Sequence, residues 1–142
     1  MRKSMGLYRG KRKDNGEWVY GYLGVFKGIW QIFVPFTEEE EKANEGHIFS
    51  AIGGLWYTVI PETVGQYTGL PDKNGKKIFE GDIVKYGDTV HEVVFEQRNG
   101  TAYFGLIYSD IETLPFGHYQ DLKQIEVIRS VWDNPKLQGE SK

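Results

Sequence analysis

The chain has 142 residues, no cysteine and a formal net charge of −3. Missing thiols exclude disulfides and cysteine-ligated metals, no segment reaches the ~18 apolar residues of a membrane span, and a general nucleic-acid binder is usually more basic than this. The length fits a single domain over residues 1–142, large enough to bury a core without covalent staples. With 4 Trp, 9 Tyr, 8 Phe and 18 Gly, the composition favours β structure with tight turns over a helical bundle.

The first residues, Met1 to Gly6, are basic but lead into no apolar run, which argues against a signal peptide. Together with the absence of Cys this suggests a cytoplasmic protein. A short strand is expected around Leu7 to Gly10. Asp14-Asn15-Gly16 is a hairpin turn signal, because Asn and Gly tolerate the positive φ of primed turns. A longer strand follows over Glu17 to Phe26, with Trp18, Tyr20 and Tyr22 on one face and Val19, Leu23 and Val25 on the other. Trp30 to Phe36 reads as the next strand. Thr37-Glu38-Glu39-Glu40 has the capping-box form, in which Thr37 bonds the N3 amide and Glu40 reaches back. A short helix and a loop are equally compatible with it. Ile48 to Ile52 and Leu55 to Ile60 are apolar strand candidates separated by Gly53-Gly54.

Val64 to Thr68 is a further short strand, and Asp72-Lys73-Asn74-Gly75 supplies the clearest turn in the chain. Lys76 to Phe79, Ile83 to Tyr86, Val90 to Gln97, Ala102 to Tyr108 and Ile125 to Trp132 complete the strands. Asp110 to Leu122 reads as irregular, and Gly139 to Lys142 as a frayed tail. There is no internal repeat and no low-complexity linker. The expected fold is mainly β with little helix. It has an N-terminal β lobe over about residues 1–70 and a small barrel over about residues 76–134, whose strand order and spacing suggest an SH3-like barrel.

Catalytic patterns are scarce. His91-Glu92-Val93-Val94-Phe95 begins like a zinc-protease motif but lacks the second His and lies on a strand. Asp72-x-Asn74 imitates the start of a calcium loop, yet Lys76 and Ile83 stand where oxygen ligands belong. Glu80 and Asp82 flank Gly81, either as paired carboxylates for acid–base work or as turn residues. His118 could form a small polar site with Asp110, Glu112 or Asp121. No nucleophile elbow, phosphate loop or dinucleotide fingerprint is present. The expectation is therefore a non-enzymatic protein without cofactor or metal.

Binding is the stronger class. Arg9, Lys11, Arg12, Trp18, Tyr20 and Trp30 form the expected partner-contact set. Trp, Tyr and Arg supply most of the energy of protein interfaces. Aromatics beside cations also stack bases and neutralise phosphate, so a nucleic-acid interface on the basic N-terminal hairpin is the alternative. The reading that needs no partner is that the same aromatics pack the core of the N-terminal lobe, and it comes before either kind of binding.

Three ordered blocks resemble the YopX family. They are Tyr8 to Gly21, then Val59-Ile60-Pro61-Glu62-Thr63-Val64-Gly65-Gln66-Tyr67-Thr68-Gly69-Leu70 running on to Val84, then Ile125 to Pro135. The resemblance implies a phage or prophage protein in a bacterial cytoplasm, with a mainly β, barrel-like fold. It supplies no catalytic residue. The resulting expectation is a protein-binding and self-associating protein, with nucleic acid as the less favoured partner and no membrane role.

Overall fold

The computed structural model describes residues 7–43, 45–46, 52–98, 100–109, 112–116 and 121–133. The basic residues before Leu7, His47, all but Ile52 of the strand expected over Ile48 to Ile52, Asn99, Asp110, His118 and the C-terminal tail lie outside them. The chain divides into two compact units, Met1–Gln66 and Tyr67–Lys142. Among the described residues, no helix is long and apolar enough to cross a membrane.

The first unit is built from β1 (Leu7–Lys11), β2 (Trp18–Phe26), β3 (Ile29–Pro35), α1 (Glu38–Ala43) and β4 (Gly54–Thr58). The start of β5 (Gly65–Pro71) joins them, in the antiparallel order β4-β3-β2-β1-β5. The β1–β2 turn is held at Asn15, whose side-chain oxygen accepts from Glu17 N–H at 2.9 Å. The β2–β3 turn is only Lys27-Gly28, with φ of 52° and 77°. Two positive φ values match the type I′ hairpin and the twist of its strands. The capping box forms as expected: Thr37 Oγ1 accepts from Glu40 N–H at 3.2 Å, and Glu40 accepts from Thr37 N–H at 2.9 Å.

Register divides this unit into two faces. Ile32 and Val59 are fully buried on one of them, beside Gly10 and Gly21. A Cβ on Gly21 would lie 2.0 Å from the Phe33 carbonyl oxygen, so only glycine fits between β2 and β3 there. The end of β1 also runs beside the end of β4: Arg12 bridges Val59, Lys13 N–H donates to Thr58 O at 2.9 Å, and Ile60 N–H donates to Lys11 O at 2.9 Å.

The second unit contains the rest of β5, β6 (Lys77–Phe79), β7 (Asp82–Tyr86), β8 (Thr89–Arg98), β9 (Thr101–Ser109), β10 (Glu112–Pro115) and β11 (Ile125–Ser130). Its core is Ile78, Val84, Val93, Leu106, Ile125 and Val127, with Tyr86, Phe116 and Leu122 packed against it. Mainly β structure with little helix is therefore what forms. The closed SH3-like barrel is not. The sheet runs β10-β9-β8-β7-β11, with β10 and β11 as its outer strands. Both carry features that disfavour addition of a further strand. β10 has four residues, a register shift at Glu112/Thr113 and a terminal Pro115. β11 is capped from outside by the Asp72 turn: Lys73 N–H donates to Ile125 O at 2.8 Å, and Asp72 Oδ2 accepts from Val127 N–H at 3.0 Å. β10 also lies in the stretch expected to be irregular, since a four-residue strand leaves almost no alternation to read.

Candidate binding face on the first unit

Pairing of β1 with β2 places Arg9 opposite Tyr20, Lys11 opposite Trp18 and Leu7 opposite Tyr22. Directly opposed residues point to the same side of a sheet. Pairing then carries that side across the unit: Tyr22 faces Phe33 on β3, and Phe33 faces Trp56 on β4. The result is one row of aromatics, Trp18, Tyr20, Tyr22, Phe33 and Trp56, edged by Arg9 and Lys11. Tyr20, Tyr22 and Trp56 are 46%, 50% and 49% exposed, so the row faces outward.

Ring geometry shows how the row is held. Phe33 and Trp56 are tilted with centroids 5.1 Å apart. Trp56 lies over Gly24, where a Cβ would approach its indole to 2.9 Å. The absent side chain thus lets an edge-strand indole reach across β3 to β2. Arg9 and Lys11 both stand over Trp18, at 4.4 Å and 5.3 Å from the ring centroid. Such contacts favour a cation above the ring's negative face.

The structure brings together four of the six expected contact residues, Arg9, Lys11, Trp18 and Tyr20. It separates the other two. Arg12 and Trp30 fall on the opposite parity of their strands, facing the side that holds Ile32 and Val59. Arg12 stacks on Tyr57 at 4.5 Å and bonds Asp14 through Nε at 2.9 Å and Nη2 at 2.6 Å. Those hydrogen bonds raise the guanidinium pKa and lower that of the Asp14 carboxyl. Phe33 and Trp56 were missed as members of the row. Counting pairs outward from Lys27-Gly28 would have found Phe33, because a two-residue turn fixes Tyr22 opposite it. Trp56 carries no comparable local signal.

Two depressions adjoin this unit. One, of about 540 Å³, is lined by Arg12, Lys13, Asp14, Trp56, Tyr57 and Thr58. The other, of about 460 Å³, lies among Ile29, Trp30, Val59, Pro61 and Glu62. Among the described residues, no cluster of three or more His, Asp or Glu is placed to hold a metal ion.

Three of the residues weighed for chemistry in the second unit, Asp82, His91 and Asp72, bond backbone and neighbouring side chains. Asp82 is buried and accepts from Phe79 N–H at 2.8 Å. His91 is buried, donates from Nδ1 to Ile107 O at 2.9 Å and lies 2.8 Å from Thr89 Oγ1 through Nε2. Asp72 binds its own turn and β11 through backbone donors, as a turn carboxylate does.

The sequence pattern of the family described as YopX protein matches residues 7–138. The chain belongs to the YopX family. No curated protein sequence matches it. Among solved structures, this YopX-family chain is similar to protein EF1440 from Enterococcus faecalis, known as a crystal structure. The two are 19% identical over 93% of this chain and 96% of that one, with a TM-score of 0.42.

Proposed function

We propose that this YopX-family chain is a phage- or prophage-encoded, non-enzymatic protein of the bacterial cytoplasm, which binds other protein surfaces and also self-associates. The observation that carries the reading is the outward aromatic row of β2 to β4. Three of its rings stand about half exposed. Side chains of this type anchor protein interfaces, because they bury large rigid areas at little entropic cost.

The same geometry weakens the nucleic-acid alternative. Of the three cations expected to meet phosphate, Arg9 is only 5% exposed. Arg12 is held by Asp14 on the other face. Lys11, on the row with Arg9, is half-buried over Trp18.

The test compares wild-type protein with a Tyr22→Ser/Trp56→Ser double variant as bait in host lysate during phage induction, alongside light scattering of each alone. Proteins retained by wild type and lost by the folded variant support the reading. A wild type that retains only nucleic acid, released by salt, replaces it with the alternative.

A further inference from the structure

The β2–β3 hairpin ends in an apolar tip. Phe26 faces Ile29 beside the turn, and Val25 faces Trp30 one pair further in. Phe26 is 72% exposed, the highest value among the large apolar residues described, and Val25 and Ile29 are about half exposed. Alternation along β2 puts Phe26 on the side of Tyr22, so the tip prolongs the aromatic row. Lys27 forms the apex, with Nζ 5.6 Å from the centroid of the Phe26 ring.

The depression of about 460 Å³ begins at the same turn. Gly28 and Ile29 line it, followed by Trp30, Ile60 and Pro61, and Glu62 is the acid on its rim. Among the described residues, no heavy atom lies within 4 Å of where a Gly28 Cβ would stand, so the turn is open there. Phe26 of the same chain does not line the depression. A benzene ring fits a closed cavity of roughly 150 Å³. The depression therefore has room for a phenylalanine ring and a neighbouring aliphatic side chain.

We infer that the hairpin tip of one chain docks, Phe26 first, into this depression on a second copy, whose own tip docks into the depression of the first. This rests on the self-association proposed above and names the surface that performs it. Knob and hollow border one another at Gly28 and Ile29, so one two-fold axis closes both contacts, as an isologous pair requires. Charge fits the same arrangement. Lys27 arrives with the tip and meets Glu62 on the rim, and among the described residues neither makes an ion pair within its own chain. Lys13 also borders the depression and repels Lys27, which directs the apex to the Glu62 side. An unrelated partner would have to supply a hollow and a knob together, whereas a second copy carries both. A tip and a depression give far fewer than the roughly 20–30 residues a side of a standard interface, so the dimer is weak and concentration-dependent. Tyr20, Tyr22 and Trp56 stay open for the protein partners proposed above.

The experiment is sedimentation equilibrium on the full chain, from low micromolar to near-millimolar concentration, with circular dichroism to check each variant's fold. The expected wild-type mass rises from one chain to two. Phe26→Ser, at an exposed position, keeps the fold and stays a single chain. Lys27→Asp sets acid against Glu62, and Asp tolerates the positive φ of this position. Glu62→Lys sets cation against Lys27. Each reversal should weaken the dimer about tenfold, and Lys27→Asp/Glu62→Lys should restore most of the loss, as coupled partners do. A dimer that survives Phe26→Ser, or charge reversals whose effects simply add, overturns this surface and leaves self-association standing. A single chain at every concentration overturns both, and a host protein retained by wild type but lost by Phe26→Ser is then the occupant of the tip.

Discussion

Asp72 shows how much one carboxylate can organise. Burial raises its pKa, but N–H groups of Val127, Lys76 and Asn74 more than offset this, and the net value falls below the ordinary 3.8. The stability it contributes is then fully present above 3.8 and is lost as pH falls through the lower folded value. Asp72→Ala strands a buried donor on β11 and undoes the turn, costing about 3 kcal/mol in denaturant unfolding at neutral pH. The difference from wild type should shrink on acidification. Glu92 has the opposite sign: burial first, and the charge of Glu80 second, raise its pKa above the ordinary 4.5. Its ionised form is disfavoured in the fold, so stability is lost as pH rises through that window and stays lost at neutrality. Glu92→Gln should therefore raise the melting temperature at pH 7, with the gain disappearing below the ordinary value. The Asp72-Asn74-Gly75 turn was legible because its donors are two and four residues away. The bond to Val127 was not, since its partner lies 55 residues along the chain.

At the scale of elements, the β2–β3 hairpin carries both the legible and the hidden parts of the candidate site. Alternation alone put Trp18, Tyr20 and Tyr22 on one face, and they stand there. Parity also assigns Trp30 and Arg12, but only once the two-residue turn and the end of β1 are located. Nearness in sequence grouped them with the wrong side. Glycines act here as spacers between strands. Gly21→Ala drives a methyl group into the Phe33 carbonyl and should cost roughly 3 kcal/mol. Tyr20→Ser on the opposite face removes one outward ring and should change stability by less than about 1 kcal/mol. Urea unfolding of the two variants checks this contrast. A comparable loss in both would mean that the aromatic row is packing material, and its role as a contact surface would fall.

For the molecule as a whole, sheet class was legible while closure was not. Strand spacing and Asn-Gly turns announce antiparallel sheets, and barrels and open sheets share them. What decides between these is the edge, and edge chemistry depends on contacts from distant segments, as with Lys73 on β11. Charge follows a similar logic. The cations at the start of the chain suggested phosphate contact, but the total is −3. In the fold, Arg12 spends its guanidinium on Asp14, and Lys73 lies 3.5 Å from Glu126. A surface that neutralises several phosphates loses affinity steeply with salt, because each contact releases counterions. Among the described residues, the cations on the aromatic row are Arg9, which is buried, and Lys11, which stands over Trp18. Gel retardation with single- and double-stranded DNA at low salt should accordingly show no shift at micromolar protein. A shift that weakens with added salt, and weakens again in Arg9→Ala/Lys11→Ala, would move the aromatic row from protein recognition to base stacking.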